Sequence, residues 1–223
     1  MTSLALLQLV RPALPVGAFS YSEGLEVLIQ AGALKSEACL EQWLIAELER
    51  GTLRLEAASL SILMTDLNRW MNGADQSARF RLLELDGWLL ATREAAEVRA
   101  QQRQMGGSLL QLLADMGHPL TEPTPLAWPG AWAWAALSLG VSEADTVEGY
   151  LYSWVANQIS AAVRLLPLGP TRAQVLQHRL LPRIAAETQE LLAADPRTLW
   201  SAGVGASLAQ LSHAELYSRL FRS

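Results

Sequence analysis

The sequence predicts an all-α protein, a single compact domain of about nine or ten helices spanning residues 1–223. Three observations predict this. The chain holds 43 Leu and 34 Ala against 10 Val and 5 Ile; Leu and Ala favour helices, and the β-branched residues that favour strands are scarce. About half of the residues are apolar (51%) and only 17% are charged, which supports a real core and argues against long disorder. Apolar residues also recur at helical spacing between Pro and Gly punctuation.

The elements follow in order. A short apolar helix is expected over Ser3 to Val10, then a loop from Arg11 to Phe19 carrying Pro12, Pro15 and Gly17. A helix runs from about Tyr21 to Gln30 and stops near Gly32. The next spans Ser36 to Gly51, with Leu40, Trp43, Leu44 and Leu48 on one stripe. Leu53 to Trp70 precedes the Asn72-Gly73 turn signal, and Asp75 opens a segment to about Leu90. Thr92 to Met116 reads as a long helix whose first half is polar nearly all round, as in a helix waiting for a partner. A loop with four prolines covers Gly117 to Pro129, followed by a buried helix around Trp132 and Trp134. Ser142 to Leu166 carries the stripe Val147, Leu151, Trp154, Val155, Ala162 and Val163. Thr171 to Ala194 contains Pro182, where a kink or break is expected. The last helix is expected from Val204 to Leu220, within a C-terminal helix and docking tail over 204–223.

Several function classes are excluded by what the chain lacks. Its single cysteine, Cys39, rules out an internal disulfide framework or a multi-Cys metal site. A net charge of −5 without a basic run makes it a poor nucleic-acid binder. The one lysine, Lys35, follows Leu34, so no phosphate-binding Gly-Lys-Ser/Thr loop exists. No Gly-x-Ser-x-Gly elbow or His-Glu-x-x-His pair is present, and His118, His178 and His213 are scattered. No catalytic and no metal-binding residue is therefore assigned. The uncharged stretch from Pro123 to Ser142 is broken by prolines and glycines and falls short of a membrane span. Met1 to Pro15 lacks the basic start of a secretory leader. A soluble, cytoplasmic protein is expected.

The most particular segment is Leu14-Pro15-Val16-Gly17-Ala18-Phe19-Ser20-Tyr21-Ser22-Glu23-Gly24-Leu25-Glu26. Pro15 fixes its φ and Gly17 permits a φ that other residues resist. Ser20-x-x-Glu23 has the spacing of a capping box. The segment reads either as an ordinary helix start or as a rigid approach that presents Phe19, Tyr21 and Glu26 in a fixed arrangement.

This segment resembles the signature of the UreF family, in which Leu-Pro-Val/Ile-Gly-aromatic-Ser leads into Gly-Leu-Glu. Thr92-Arg93-Glu94 is similar to the family's opening of the long polar helix. Ala161-Ala162-Val163-Arg164-Leu165-Leu166-Pro167-Leu168-Gly169 is similar to its basic residue before Leu-x-Pro-x-Gly. Tyr217-Ser218-Arg219-Leu220-Phe221-Arg222-Ser223 is similar to its ending. Glu23 stands where the family commonly has Gln, and Ala214 follows His213 where the family often has Glu.

The resemblance implies an all-helical homodimer without catalysis of its own, working as an adaptor in urease maturation. It implies binding to the accessory protein UreD (also called UreH), recruitment of the GTPase UreG, and docking on the urease apoprotein. Nickel would pass through that assembly without being held as a cofactor. The partner-facing candidates are Phe19, Tyr21, Glu26, Arg93, Glu94, Arg164, His213, Tyr217, Arg219, Leu220, Phe221 and Arg222. Glu26 and Arg164 are expected on the GTPase-facing surface, or else in a structural ion pair. The tail is expected to dock on UreD with Phe221 as its anchor, or else to pack on its own domain. Two other readings stay open: a generic helical interaction module, and a helical enzyme with a small-molecule pocket lined by its eight tryptophans.

Overall fold

The structure is a computed structural model that describes residues 4–73 and 75–223. Ten α-helices and two short 3-10 turns form among the described residues, with no strand. They are α1 (Leu4–Leu9), α2 (Leu25–Gln30), α3 (Glu37–Arg50), α4 (Leu53–Gly73), α5 (Gln76–Ala91), α6 (Ala96–Asp115), α7 (Trp128–Ser138), α8 (Glu143–Leu165), α9 (Pro170–Leu192) and α10 (Val204–Ser212). The expected first residue of α1, Ser3, lies outside the described residues.

Local chemistry sets many of these boundaries. Ser36 Oγ accepts the Cys39 amide at 3.2 Å and caps α3, Ser142 Oγ accepts the Asp145 amide at 3.1 Å and caps α8, and Asp75 caps α5 through Ser77 and Ala78. The core is built around α4, which packs against α3, α5, α7, α8 and α9. Every residue of α4 from Leu53 to Leu60 is buried. That run includes Arg54 and Glu56, so both charges need internal partners. Arg54 finds Glu187 and Glu190 on α9; Glu56 belongs to the site below.

The buried helix expected around Trp132 and Trp134 is α7, whose residues Pro129 to Ala136 are all buried. It meets α6 at close range because Gly106 has no side chain: a Cβ there would lie 2.3 Å from the Leu126 carbonyl oxygen. The expected stripe of α8 is buried at Val147, Leu151, Val155 and Ala162, with Trp154 and Val163 half-buried.

Three expectations are corrected. The helix expected from Thr92 begins only at Ala96, which leaves Arg93 and Glu94 in a loop. Of the kink or break expected at Pro182, the break does not occur: α9 continues through it. Proline removes one backbone bond there, but Leu176, Leu180, Ile184 and Leu191 bury the apolar face, and Arg179 and Arg183 pair with Glu41 and Glu49 of α3. Tertiary packing outweighs the local penalty. The last helix ends at Ser212, not Leu220: His213–Glu215 is a 3-10 turn, and the chain beyond runs without helix.

Candidate functional site

The segment Gly17–Gly24 turns sharply three times. Gly17 and Gly24 adopt φ of 76° and 87°, and Glu23, a non-glycine residue, adopts φ of 50°. A left-handed glutamate is costly by roughly 1 kcal/mol and calls for compensation. The compensation is its carboxylate, which accepts hydrogen bonds from Gln101 Nε2 at 2.8 Å and Trp154 Nε1 at 3.2 Å. The capping box expected from Ser20 and Glu23 does not form. The helix starts later, at Leu25, with Gly24 in the cap position, and Glu23 points into the protein. Gly24 is required twice over, by its φ and because a Cβ there would lie 2.9 Å from the Gln210 amide nitrogen of α10.

The chain beyond α10 returns to this turn. Ser22 donates its amide (2.9 Å) and its hydroxyl (2.7 Å) to the carbonyl of Ser223. The Arg222 amide donates to Ser20 O at 2.8 Å. Ser223 Oγ donates to Gln101 Oε1 at 2.6 Å. Glu26, on the first turn of α2, accepts the Leu220 amide at 2.8 Å on Oε1 and the Phe221 amide at 3.1 Å on Oε2. His213 stands beside it, Nε2 3.4 Å from Glu26 and Nδ1 2.8 Å from Glu97 of α6. Arg219 closes the ring by donating to the other oxygen of Glu97 at 2.8 Å. Phe221 is buried, and the Arg164 guanidinium lies 4.4 Å from its ring centroid while donating to Phe19 O at 2.9 Å.

A second layer lies deeper. Arg93 Nε donates to Glu56 Oε1 at 2.8 Å, Tyr150 donates its hydroxyl to Glu56 Oε2 at 2.8 Å, and Arg93 Nη1 reaches Glu23 Oε2 at 4.0 Å. Burial pushes the Glu56 carboxyl above its ordinary range, against the pull of the Arg93 guanidinium. Burial and the neighbouring Glu56 together raise the Tyr150 hydroxyl well above its ordinary value. Burial works against the Arg93 charge, but Glu56 and Glu23 outweigh it and hold the guanidinium protonated. The loop Thr92–Ala95 is fixed from the other side by Arg99, which donates to the carbonyls of Arg93 and Glu94 at 2.6 Å each.

The candidate residues thus converge, but in two classes. Tyr21, Glu26, Arg93, His213 and Phe221 are buried. Of the readings carried for each, the arrangement matches the structural pair for Glu26, which is spent on two backbone amides and a histidine, and packing on its own domain for Phe221. Tyr21 donates to Gln104 Oε1 at 3.0 Å. Phe19, Glu94, Arg164, Tyr217, Arg219, Leu220 and Arg222 are exposed, Phe19 by 68% and Tyr217 completely. Glu56, Gln101 and Tyr150 belong to the site and are not candidates in the sequence reading, while Trp154 and Ser22 enter that reading only as a stripe residue and as part of the N-terminal segment. A charge such as Glu56 inside the apolar run Leu53 to Leu60 was the available signal.

Exposed apolar side chains flank this junction: Val204, Leu208 and Leu211 on α10, with Trp200 just before it. Among the described residues, no three His, Cys, Asp or Glu side chains are grouped to hold a metal ion, and no helix is long and apolar enough to cross a membrane.

The sequence is similar to those of known proteins over nearly its whole length. The UreF family model matches residues 34–181. A urease accessory protein UreF of Prochlorococcus marinus (strain MIT 9215) is 36% identical over 222 residues, covering 96% of both chains. That of Microcystis aeruginosa is 40% identical over 229 residues, covering 99% of this chain and 97% of the relative. That of Chromohalobacter salexigens is 39% identical over 221 residues, covering 98% and 93%. These alignments extend past the family-model match at both ends, into the regions that hold the turn and the tail. With similarity of this extent and the residues of its signature gathered at one junction, the chain belongs to the UreF family of urease accessory proteins.

Proposed function

We propose that this protein is a non-catalytic adaptor in nickel insertion into urease. It binds UreD (UreH), recruits the GTPase UreG, and brings both to the urease apoprotein for GTP-dependent assembly of the nickel centre. Nickel is cargo of the assembly and not a resident cofactor. The resemblance that carries these partners also carries a homodimer and a cytoplasmic setting.

The observation that supports the reading is the junction itself. Buried Glu26, His213 and Arg93 bind the N-terminal turn, the start of α6 and the tail into one piece. What that piece leaves outside is a composite surface of Phe19, Arg164, Tyr217 and Leu220. Buried ionic networks of this kind fix geometry more than they add stability. In this reading Phe19, Arg164 and Glu94 face the GTPase, and the exposed apolar residues of α10 with Tyr217, Arg219, Leu220 and Arg222 face UreD. Glu26, Arg93, His213, Tyr21 and Phe221 serve the interface by holding its shape.

Co-purification with UreD and UreG, followed by nickel-dependent urease activation, tests the reading. Arg164→Ala and Phe19→Ala are expected to lose UreG while keeping UreD, and Leu208→Asp with Leu211→Asp to lose UreD first. Full assembly and activation by all of these variants would overturn the assignment of faces. Failure of the unaltered chain to capture either protein would overturn the adaptor reading.

A further inference from the structure

A pocket opens between the N-terminal segment and helices α6, α7 and α8, and the adaptor reading assigns nothing to its interior. The space in it open to water-sized molecules is about 100 Å³. The walls are aromatic: Trp128, Trp132, Trp154 and Tyr150 line it, with Phe19 at the mouth. Trp128 and Trp132 lie 5.4 Å apart by ring centroid, and Trp132 meets Tyr150 edge-on at 5.7 Å, so these rings form a continuous surface. The floor is acidic. Glu23 and Glu56 both line the pocket and share one guanidinium, that of Arg93. Arg11 stands at the rim, exposed, where solvent screens its charge.

One further group points to a ligand. Gln102, 3% exposed, lines the pocket, and its Oε1 has no hydrogen-bond partner among the described residues. A buried acceptor left unpaired is costly, and a ligand N–H would satisfy it. Indole faces attract cations through the ring quadrupole, most strongly when water is excluded. Two carboxylates against one guanidinium add a negative field from below. A neutral apolar ligand would satisfy the walls and neglect the floor. An anion would be repelled by the floor.

We propose that this pocket binds a small organic cation, an alkylammonium or alkylguanidinium, with its head against the indoles and above Glu23 and Glu56 and one N–H directed to Gln102. The apolar stem lies along Leu14, Val16 and Met105 toward the mouth. The inference does not require the adaptor reading, although Phe19 at the mouth belongs to both.

The test uses the full chain with n-butylguanidinium as probe and n-butylurea as its neutral isostere. Indole fluorescence and the ¹H–¹⁵N indole signals of Trp128, Trp132 and Trp154 report binding. The expected result is saturable binding of n-butylguanidinium, with n-butylurea at least about tenfold weaker. Trp128→Leu is expected to weaken binding about tenfold, and Ala156→Trp, at the pocket wall, to abolish it. Equal binding of the urea, no saturation by the guanidinium, or unchanged binding in a folded Ala156→Trp protein would overturn the proposal. The same indole shifts produced by nickel or magnesium ions alone would also overturn it, in favour of a metal site. Should Ala156→Trp fail to fold, the isostere comparison and Trp128→Leu still decide.

Discussion

The imidazole Nε2 of His213 lies 3.4 Å from the Oε2 of Glu26, across 187 residues of chain. The same carboxylate accepts the amides of Leu220 and Phe221, so one buried side chain on α2 holds three points of the C-terminal segment. Glu26→Ala strands two backbone amides and removes a partner of His213, and is expected to cost about 2–4 kcal/mol in denaturant unfolding. Amide exchange at Leu220 and Phe221 should accelerate more than in the core of α4. Glu26→Gln keeps one acceptor oxygen and should do less. Unchanged exchange at Leu220 in the alanine variant would show that packing of Phe221 holds the tail.

Arg93 and Glu56 are expected to behave as a unit. Arg93→Ala leaves Glu56 buried with only Tyr150 to donate to it, and should cost about 3–5 kcal/mol. Glu56→Leu combined with Arg93→Leu removes both charges and should cost less than the two single changes added together. A double-mutant cycle by urea unfolding gives the coupling. A coupling near zero would mean that the 2.6 Å contact between Arg93 Nη2 and Glu56 Oε1 stabilises nothing.

Legibility in the sequence followed the range of the interactions. Helices α3, α5 and α8 were readable because their signals are local: Ser36, Asp75 and Ser142 cap as their positions predict, and Leu40, Leu44 and Leu48 fall on one face; α7 was readable as an uncharged apolar run bounded by Pro129 and Gly140. The start of α6 was not, because Arg93 leaves the helix for a glutamate 37 positions earlier. The end of α10 was not, because His213 is drawn to Glu26 and Glu97. The same holds for the site. Glu26, Arg164 and the tail were found as motifs, while Glu56, Gln101 and Trp154 enter only through distant contacts. Of the two readings carried for Glu26, the internal pair is the one the arrangement matches: its carboxylate meets two backbone amides and His213, while Arg93 likewise turns inward to the carboxylates of Glu56 and Glu23.

Glu47 on α3 gives a pH dependence. Burial pushes its carboxyl up from 4.5 to about 7; Arg93 and Arg50 pull it down and Glu23 pushes it up. The folded state therefore holds this proton over a range where the unfolded chain has released it. The contribution is neutral below about pH 4.5, turns unfavourable as pH rises to 7, and is constant above. Glu47→Gln should match the parent at pH 4 and exceed it at pH 8 by about 1–2 kcal/mol, a figure reduced because the side chain is half-buried. Unfolding curves of both proteins at the two pH values isolate this group, since Asp86, raised to about 6 by burial, cancels in the difference. A constant difference across pH would remove Glu47 as the cause.

Gly24→Ala combines two penalties. A φ of 87° disfavours any side chain, and the new Cβ meets the Gln210 amide at 2.9 Å and Ala209 Cβ at 3.1 Å. A loss of about 2 kcal/mol is expected. Because α2 and α10 meet here, the variant should also lose UreD capture more than UreG capture at temperatures where it stays folded. Gly107→Ala, in the interior of α6 with open space around it, is the control and should stabilise slightly. Equal effects at both positions would show that helix propensity dominates.

Gln158 carries the reverse prediction, a substitution that stabilises. It sits on the buried face of α8 among Val155, Ile159 and Ala162, fully inaccessible. Neither its Oε1 nor its Nε2 has a hydrogen-bond partner among the described residues. An amide in that position has given up water on both atoms without replacement, a cost of roughly 1–3 kcal/mol per unpaired group. Methionine has nearly the same length and flexibility and no polar group to desolvate. Gln158→Met should therefore raise stability by about 1 kcal/mol or more, whereas Gln158→Ala should gain less, because it leaves a void where the side chain stood. Thermal and denaturant unfolding rank the three proteins. A destabilised methionine variant would mean that the amide has partners in solution, and its place in the core would then be a polar contact and not a penalty.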